Sequence, residues 1–431
     1  MFFFMMVFLA LVLIRPQEYP QWEGAIPVPL LPIVLLIAAL FWLFSQRKSF
    51  AAPQYILLPT FLVVLMLSKV VNGWAGGAME QLTKFLPVVL AFVLLANAAN
   101  TRERIVTAMK VFAICGTVLA LHGIEQAQLG MGWTGVGLSQ ETRIQYVGIF
   151  NDPNDLGMLF VMCLPMAMYL SGRGGMMGLT RLFWLLMAGI LMYGVYLTNS
   201  RGTLLAVLVL LGLYVWKRYG LVLAGLLGSA GLVVMSTLSS RFQEMEVGEA
   251  SAMGRVESWY HGMQMFISHP ILGVGADSYS DYHELTAHNS LVLVLAETGA
   301  VGFCVWIAFV GYGFLMMMAV ARQRGVLPVE AGTAPPTPEQ LEGWKQDQAI
   351  ARALLLSQCG YLVTGFFLSR SYVIILYLLA ALVVAHYIGM RERYPLLPQF
   401  RLSSDLLRWV FWTMVGIVGL YLVVKILFAL A

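Results

Sequence analysis

The sequence predicts an all-α polytopic membrane protein, and three observations carry that expectation: a deficit of charge, apolar runs that recur end to end, and basic residues gathered on one set of loops. Of 431 residues, 60% are hydrophobic and 11% charged, with a mean hydropathy of +0.80. A soluble domain carries about 25% charged residues because its surface faces water. A deficit along the whole chain makes lipid the solvent for most of the surface. The apolar runs are not interrupted by a soluble-looking stretch, so residues 1–431 read as a single transmembrane domain. The net charge of +4 is small, and no basic block suggests a nucleic-acid partner.

A helix needs about 20 residues to cross about 30 Å of hydrocarbon. Apolar runs set against polar breaks give spans near 1–14, 30–45, 55–71, 85–98, 105–122, 156–171, 182–197, 203–216, 220–238, 289–318, 350–368, 372–389 and 409–429. The expected count is therefore 12 to 14. The first run, Met1 to Ile14, lacks a basic leading region and a small-residue cleavage site, and reads as a retained helix. Cys115, Cys163, Cys304 and Cys359 all fall inside apolar spans and read as small buried hydrophobes.

Loop charge sets the orientation. One alternating set of loops holds fifteen of the 26 Lys and Arg residues; the other holds Arg15, Lys69, Lys84, Arg143, Arg201, Arg241, Arg255 and Arg370. The positive-inside rule puts the richer set, and with it Arg47, Arg324 and the N-terminus, in the cytoplasm. Segment 323–349, rich in Pro, Ala and Glu, then reads as a flexible cytoplasmic loop. Residues 239–288 read as a long loop on the outer side.

The outer loops hold the unusual residues. From Met253 to Pro270, Val256, Trp259, Tyr260, Met263 and Phe266 recur near helical spacing, which predicts an amphipathic helix in the interface with Arg255, Glu257 and His261 among its polar positions. His288 and Asn289 stand where an apolar span begins, and Glu297 lies about two and a half turns into it. An ionisable residue at that depth has either a structural partner or a function. The tight turn TNSRG, Thr198 to Gly202, places Arg201 on the side that the loop rule disfavours; it reads either as a snorkelling anchor or as a guanidinium facing an anion. In GIFNDPNDLG, Gly148 to Gly157, Asn154 or Asp155 is expected to cap the following helix. Lys69 and Lys84 read as interfacial anchors, or as added positive charge near an anionic ligand.

SRG at 200–202, GRVESWYHGM with HPILGVG at 254–275 and HNSLVLVLAETGAVG at 288–302 together resemble the O-antigen ligase and polymerase superfamily; FNDPNDLG at 150–157 resembles that family's outer loop. The resemblance implies a GT-C-type glycosyltransferase of the bacterial inner membrane, working on the periplasmic face. It implies an undecaprenyl-diphosphate-linked glycan as donor, and as acceptor either a glycolipid (lipid A core) or another glycan. It implies diphosphate binding by Arg201 and Arg255, catalysis by His288, and no metal or other cofactor. Asn289, Glu297, Lys69 and Lys84 are the supporting candidates.

The chemistry asks for the same residue types. Transfer from a lipid diphosphate needs a leaving group stabilised by fixed cations, and arginines stay charged at any working pH. It also needs a base that titrates near neutrality, which is the range of histidine. Attack at the anomeric carbon without a covalent intermediate inverts its configuration. Ligase is the leading expectation and polymerase the alternative, with a protein O-oligosaccharyltransferase behind them. A secondary transporter would show broken helices and charges near the bilayer midplane in both halves.

Overall fold

The computed structural model describes residues 1–431 apart from 23–27, 47, 174–177, 242–244, 324–336 and 431, and the side chains of 22, 234–252 and 430 are likewise left aside. Arg47, Arg324, the side chain of Arg241 and residues 324–336 of the linker expected over 323–349 therefore lie outside the described residues. The chain runs through α1 (Phe2–Ile14), α2 (Leu30–Leu43), α3 (Gln54–Val71), α4 (Ala75–Ala98), α5 (Arg102–Leu129), α6 (Pro153–Ser171), α7 (Leu179–Leu197) and α8 (Arg201–Tyr219). It continues through α9 (Leu221–Arg241), α10 (Met245–Ser268), α11 (Tyr279–Tyr282), α12 (Ser290–Ala321), α13 (Pro338–Gly365), α14 (Ile374–Arg393) and α15 (Leu402–Leu430). Among the described residues no strand forms, and the two β-bridges are isolated.

The protein is all-α and polytopic. Among the described residues, nine helices are long and apolar enough to cross a membrane: α3 to α8, α12, α14 and α15. The other four spans expected from sequence coincide with helices as well. α1 and α2 have 13 and 14 residues, short of a full crossing. The described apolar part of α9 is Leu221–Val233, and α13 begins with the polar stretch PEQLEGWKQDQ.

Burial separates centre from rim. In α6 and α14, 83% of the apolar window is buried by neighbouring helices; in α15 it is 17%. α6 packs on α5, α7 and α13, and α14 packs on α4, α12 and α13. Exposed Leu407, Phe411 and Val418 on α15 are what a helix facing lipid presents. Because lipid tails are as apolar as leucine, helices associate through close fit, and small residues mark the contacts. A Cβ on Gly194 of α7 would meet Phe160 at 2.8 Å, and one on Gly360 of α13 would meet Val161 at 2.9 Å.

α12 is broken at Gly299, whose φ of 63° and ψ of −166° suit glycine alone. The segment after α10 fills the break. Ala300 N donates to Pro270 O at 2.8 Å and Val301 N to Ile271 O at 3.2 Å. Val274 N donates to Ala296 O at 3.0 Å and Gly275 N to Glu297 O at 3.1 Å. The backbone groups released by the break are thus satisfied, as a non-aqueous surrounding demands.

Segment 323–349 departs from its expected flexibility where it is described. α13 starts at Pro338 behind a capping box between Thr337 and Gln340. Trp344 and Asp347 are buried, and Asp347 takes Arg102 Nη2 at 2.8 Å and Arg393 Nη2 at 3.0 Å. Composition signalled a linker, but the capping motif and this ion triad make residues 338–349 the first three turns of a packed helix.

Candidate active site

At one end of the bundle, α6, α8 and α12 begin and α13 ends. Each helix start is built by local chemistry. Asp152 caps α6, accepting from Asn154 N at 2.7 Å, with Pro153 in the first turn. This corrects the expected caps: Asn154 instead accepts from Arg143 Nη2 at 3.0 Å, and Asp155 accepts from both Nε and Nη2 of Arg370. Ser200 caps α8, accepting from Thr203 N. A Cβ on Gly157 would lie 2.5 Å from Thr203, so glycine there lets the starts of α6 and α8 meet.

Asn289 caps α12, with Oδ1 accepting from Leu291 N at 2.9 Å and Val292 N at 3.2 Å, while its buried Nδ2 has no partner among the described residues. The residue before it, His288, has φ 45°, an uncommon left-handed conformation for a residue with a Cβ. Ser290 ties in the 369–371 turn: its Oγ donates to Leu368 O at 2.6 Å and accepts from Arg370 N at 3.0 Å.

Arg201 is the first residue of α8 and is exposed. A cation there opposes the positive end of the helix dipole, so helix stability does not explain it. Arg255 lies on α10, and this helix realises the amphipathic segment expected over 253–270. Trp259 and Met263 are buried, and Gly262 approaches Val292 of α12 so closely that a Cβ would meet it at 2.5 Å.

Electrostatics ties these residues together. Burial pushes Arg255 below its ordinary value; Asp152 resists, and the Arg201 charge pushes further down. Arg143, which donates to Thr198 O at 2.9 Å, is lowered by burial, with Asp152 opposing and Arg255 adding. Half-buried His288 is lowered by burial and then by Arg255, against Asp152, with Arg370 also lowering it. At Arg370 burial works against the charge, but its hydrogen bonds and ion pair with Asp155 prevail and raise it. Arg255 thus feels Arg201 and acts on Arg143 and His288, Asp152 acts on Arg143, Arg255, His288 and Arg370, and burial together with Arg255 and Arg370 favours the neutral form of His288.

The three principal residues picked from sequence, Arg201, Arg255 and His288, therefore fall in one electrostatic neighbourhood. Of the supporting candidates, Asn289 caps α12, and Lys69, Lys84 and Glu297, on α3, α4 and α12, bind the loop over 277–279. Buried Lys69 donates to Ser278 Oγ at 2.7 Å and lies 4.7 Å from the Trp74 ring. Lys84 pairs with Glu80 at 2.7 Å and Asp277 at 3.1 Å. Glu297 accepts from Tyr279 N at 3.0 Å. These contacts hold residues 277–279 against α3, α4 and α12.

Sequence reading missed Arg143, Arg370 and Asp152 as members of the cluster. A signal existed, since both arginines sit in loops of the charge-poor set, as Arg201 does. For Arg370 the partner lies far away in sequence, 215 residues off at Asp155, while Arg143 binds Asn154 in the first turn of α6 and Thr198, 55 residues on.

Residues 185–307 match the O-antigen ligase family, and no curated protein matches the chain. The matched region runs from α7 into α12 and contains Arg201, Arg255, His288 and Glu297. Over residues 185–307 the chain is thus similar to the O-antigen ligase family, a match consistent with the O-antigen ligase and polymerase superfamily.

Proposed function

We propose that the protein transfers a glycan from undecaprenyl diphosphate to an acceptor hydroxyl, at the end of the bundle where the arginines gather. The observation that carries this reading is a half-buried His288, pushed toward its neutral form by burial, Arg255 and Arg370, with Arg201 and Arg143 acting in turn on or beside Arg255. Arg201 and Arg255 hold the diphosphate oxygens, with Arg143 beside them. Guanidinium forks suit those oxygens and need no proton supply. Arg370, held by Asp155, orients the turn against α12 instead of meeting the donor directly.

His288 accepts the acceptor hydroxyl proton as the oxygen bonds to the anomeric carbon. The bond from that carbon to the diphosphate breaks, and undecaprenyl diphosphate leaves with the electron pair. The configuration inverts, and the arginines stabilise the charge that develops on the leaving group. The loop charge bias supports placing this end in the periplasm of a bacterial inner membrane. The family match supports ligase chemistry with a lipid A core acceptor; joining of lipid-linked repeats is the alternative, followed by protein glycosylation.

The break in α12 is the observation that favours a secondary transporter. Its released backbone groups at 296, 297, 300 and 301 are taken by residues 270–275, leaving them with no ion to bind.

Replacing Arg201 or Arg255 by Ala is expected to slow glycan transfer about 10²–10³-fold, and His288 by Ala about 10²–10⁴-fold, with membrane-inserted protein unchanged. Surface polysaccharide resolved on gels provides the measurement, and normal glycan in all three variants overturns the assignment. In a deletion strain, naked core with accumulated lipid-linked long chains marks a ligase; single-repeat products mark a polymerase. Transfer in EDTA is expected to stay within about tenfold of the untreated rate, since side chains meet the charge. Abolition restored by Mg²⁺ or Mn²⁺ excludes the metal-free step.

A further inference from the structure

We propose that Glu257, His261 and His283 form a binding site for a divalent transition metal of the Zn²⁺ class, clasping α10 to the chain that leads into α12. Glu257 and His261 stand one turn apart on α10, with His261 Nε2 and Glu257 Oε1 4.0 Å apart. His283 comes from the end of α11, and the two imidazole rings lie 4.6 Å apart between centroids. One ligand atom from each residue falls within 4.8 Å of the others. No other set of three His, Cys, Asp or Glu residues converges in this way among the described residues.

The scaffold beneath the three is fixed while their tips are free to close. Tyr279, buried at the start of α11, donates its hydroxyl to Ser258 O on α10, and His283 N donates to Tyr279 O at 3.2 Å. The backbones bearing His261 and His283 are thereby held side by side. A tetrahedral Zn²⁺ with bonds of ~2.0–2.1 Å brings ligand atoms to about 3.3 Å from one another. Glu257 and His261 are 61% and 44% exposed, so rotamer changes supply the remaining movement.

His283 Nδ1 accepts from Leu285 N at 3.1 Å and lies 3.1 Å from Leu285 O; ligation through Nε2 moves the ring proton to Nδ1, where Leu285 O accepts it in place of the bond from Leu285 N. A backbone carbonyl on the far nitrogen is the usual way a ligating imidazole is oriented. Two imidazoles and one carboxylate favour Zn²⁺ and its neighbours over Mg²⁺ or Ca²⁺, which prefer oxygen donors throughout. Three protein ligands leave one tetrahedral position for water. At about 100° per residue, Glu257 and His261 project from the side of α10 turned away from Arg255. The site is thus separate from the arginine cluster and does not rest on the reaction proposed there. A bound metal ties the helix bearing Arg255 to the chain five residues before His288.

The test uses the untagged full chain in detergent, stripped with EDTA, desalted and titrated with Co²⁺ while the visible absorption of tetrahedral cobalt is followed. One equivalent is expected to bind and to be displaced by Zn²⁺ but not by Mg²⁺. His261→Ala and His283→Ala are expected to weaken binding at least about tenfold, while His269→Ala, outside the cluster, leaves it unchanged. Gel-filtration profiles matching the parent show that the variants remain folded. Absence of stoichiometric binding in the parent, or parental affinity in folded His283→Ala, overturns the site.

Discussion

His288 is held at a left-handed φ immediately before the Asn289 cap, so its backbone position is set by the start of α12. Burial and the neighbouring arginines then favour its neutral form. The sign follows directly: protonation adds charge where desolvation and Arg255 both oppose it, so the folded ring titrates below the ordinary 6.5. As the base, His288 works in its neutral form. The acid limb of glycan transfer is therefore expected to be centred below pH 6.5, with the rate falling as His288 is protonated. An acid limb centred above 6.5 in kcat/KM contradicts this role. Arg201 was legible from sequence because its loop is tight and on the disfavoured side. Arg143 and Arg370 carry the same signal, yet their membership depends on Asn154, Asp155 and Asp152, which only folding brings near.

At the scale of elements, the break in α12 joins the matched motifs physically. HPILGVG and AETGAVG interlock: Pro270, Ile271, Val274 and Gly275 bond to Ala300, Val301, Ala296 and Glu297. Gly299 has φ 63°, and a Cβ there would lie 2.4 Å from the Ile271 carbonyl carbon; one on Gly273 would lie 2.2 Å from that of Glu297. Gly299→Ala is expected to destabilise the protein by about 3 kcal/mol or more, combining backbone strain with overlap. Thermal denaturation in detergent should show this as a lowered midpoint or as a loss of monodisperse protein, and a parental midpoint refutes it. The glycines were visible in the sequence. Their reason was not, because an apolar run with a glycine inside it reads as a continuous span.

Across the whole molecule, the two ends differ in how charge is handled. At the arginine end, cations outnumber the carboxylates that face them. At the opposite end, Asp347 is fully buried and satisfied by Arg102 and Arg393, which tie α13 to α5 and α14. Removing Asp347 takes the charge-assisted hydrogen bonds from two partly exposed guanidiniums, at about 1.5–3 kcal/mol. Asp347→Ala is therefore expected to destabilise the fold by roughly that amount, read as a lowered denaturation midpoint, without changing the pH dependence of transfer by folded protein. A parental midpoint contradicts the structural role. Composition made residues 338–349 look like a linker, because Pro, Glu and Gln are equally at home in a disordered loop and in a capped, charged first turn. The partners of Asp347, 245 residues before it and 46 after it, decide between the two.

By itself the sequence determined the membrane class, most helix positions and the ordered motifs that carry Arg201, Arg255 and His288. These depend on hydrophobicity and spacing, which are local properties. Tertiary structure alone decided which helices are central, where α12 breaks, that Asp152 and not Asp155 caps α6, and that Arg143 and Arg370 join the cluster. It also brought Glu257 and His261 to His283. Each of these is a contact between distant parts of the chain, whose energy comes from close packing and from the neutralisation of charge away from water.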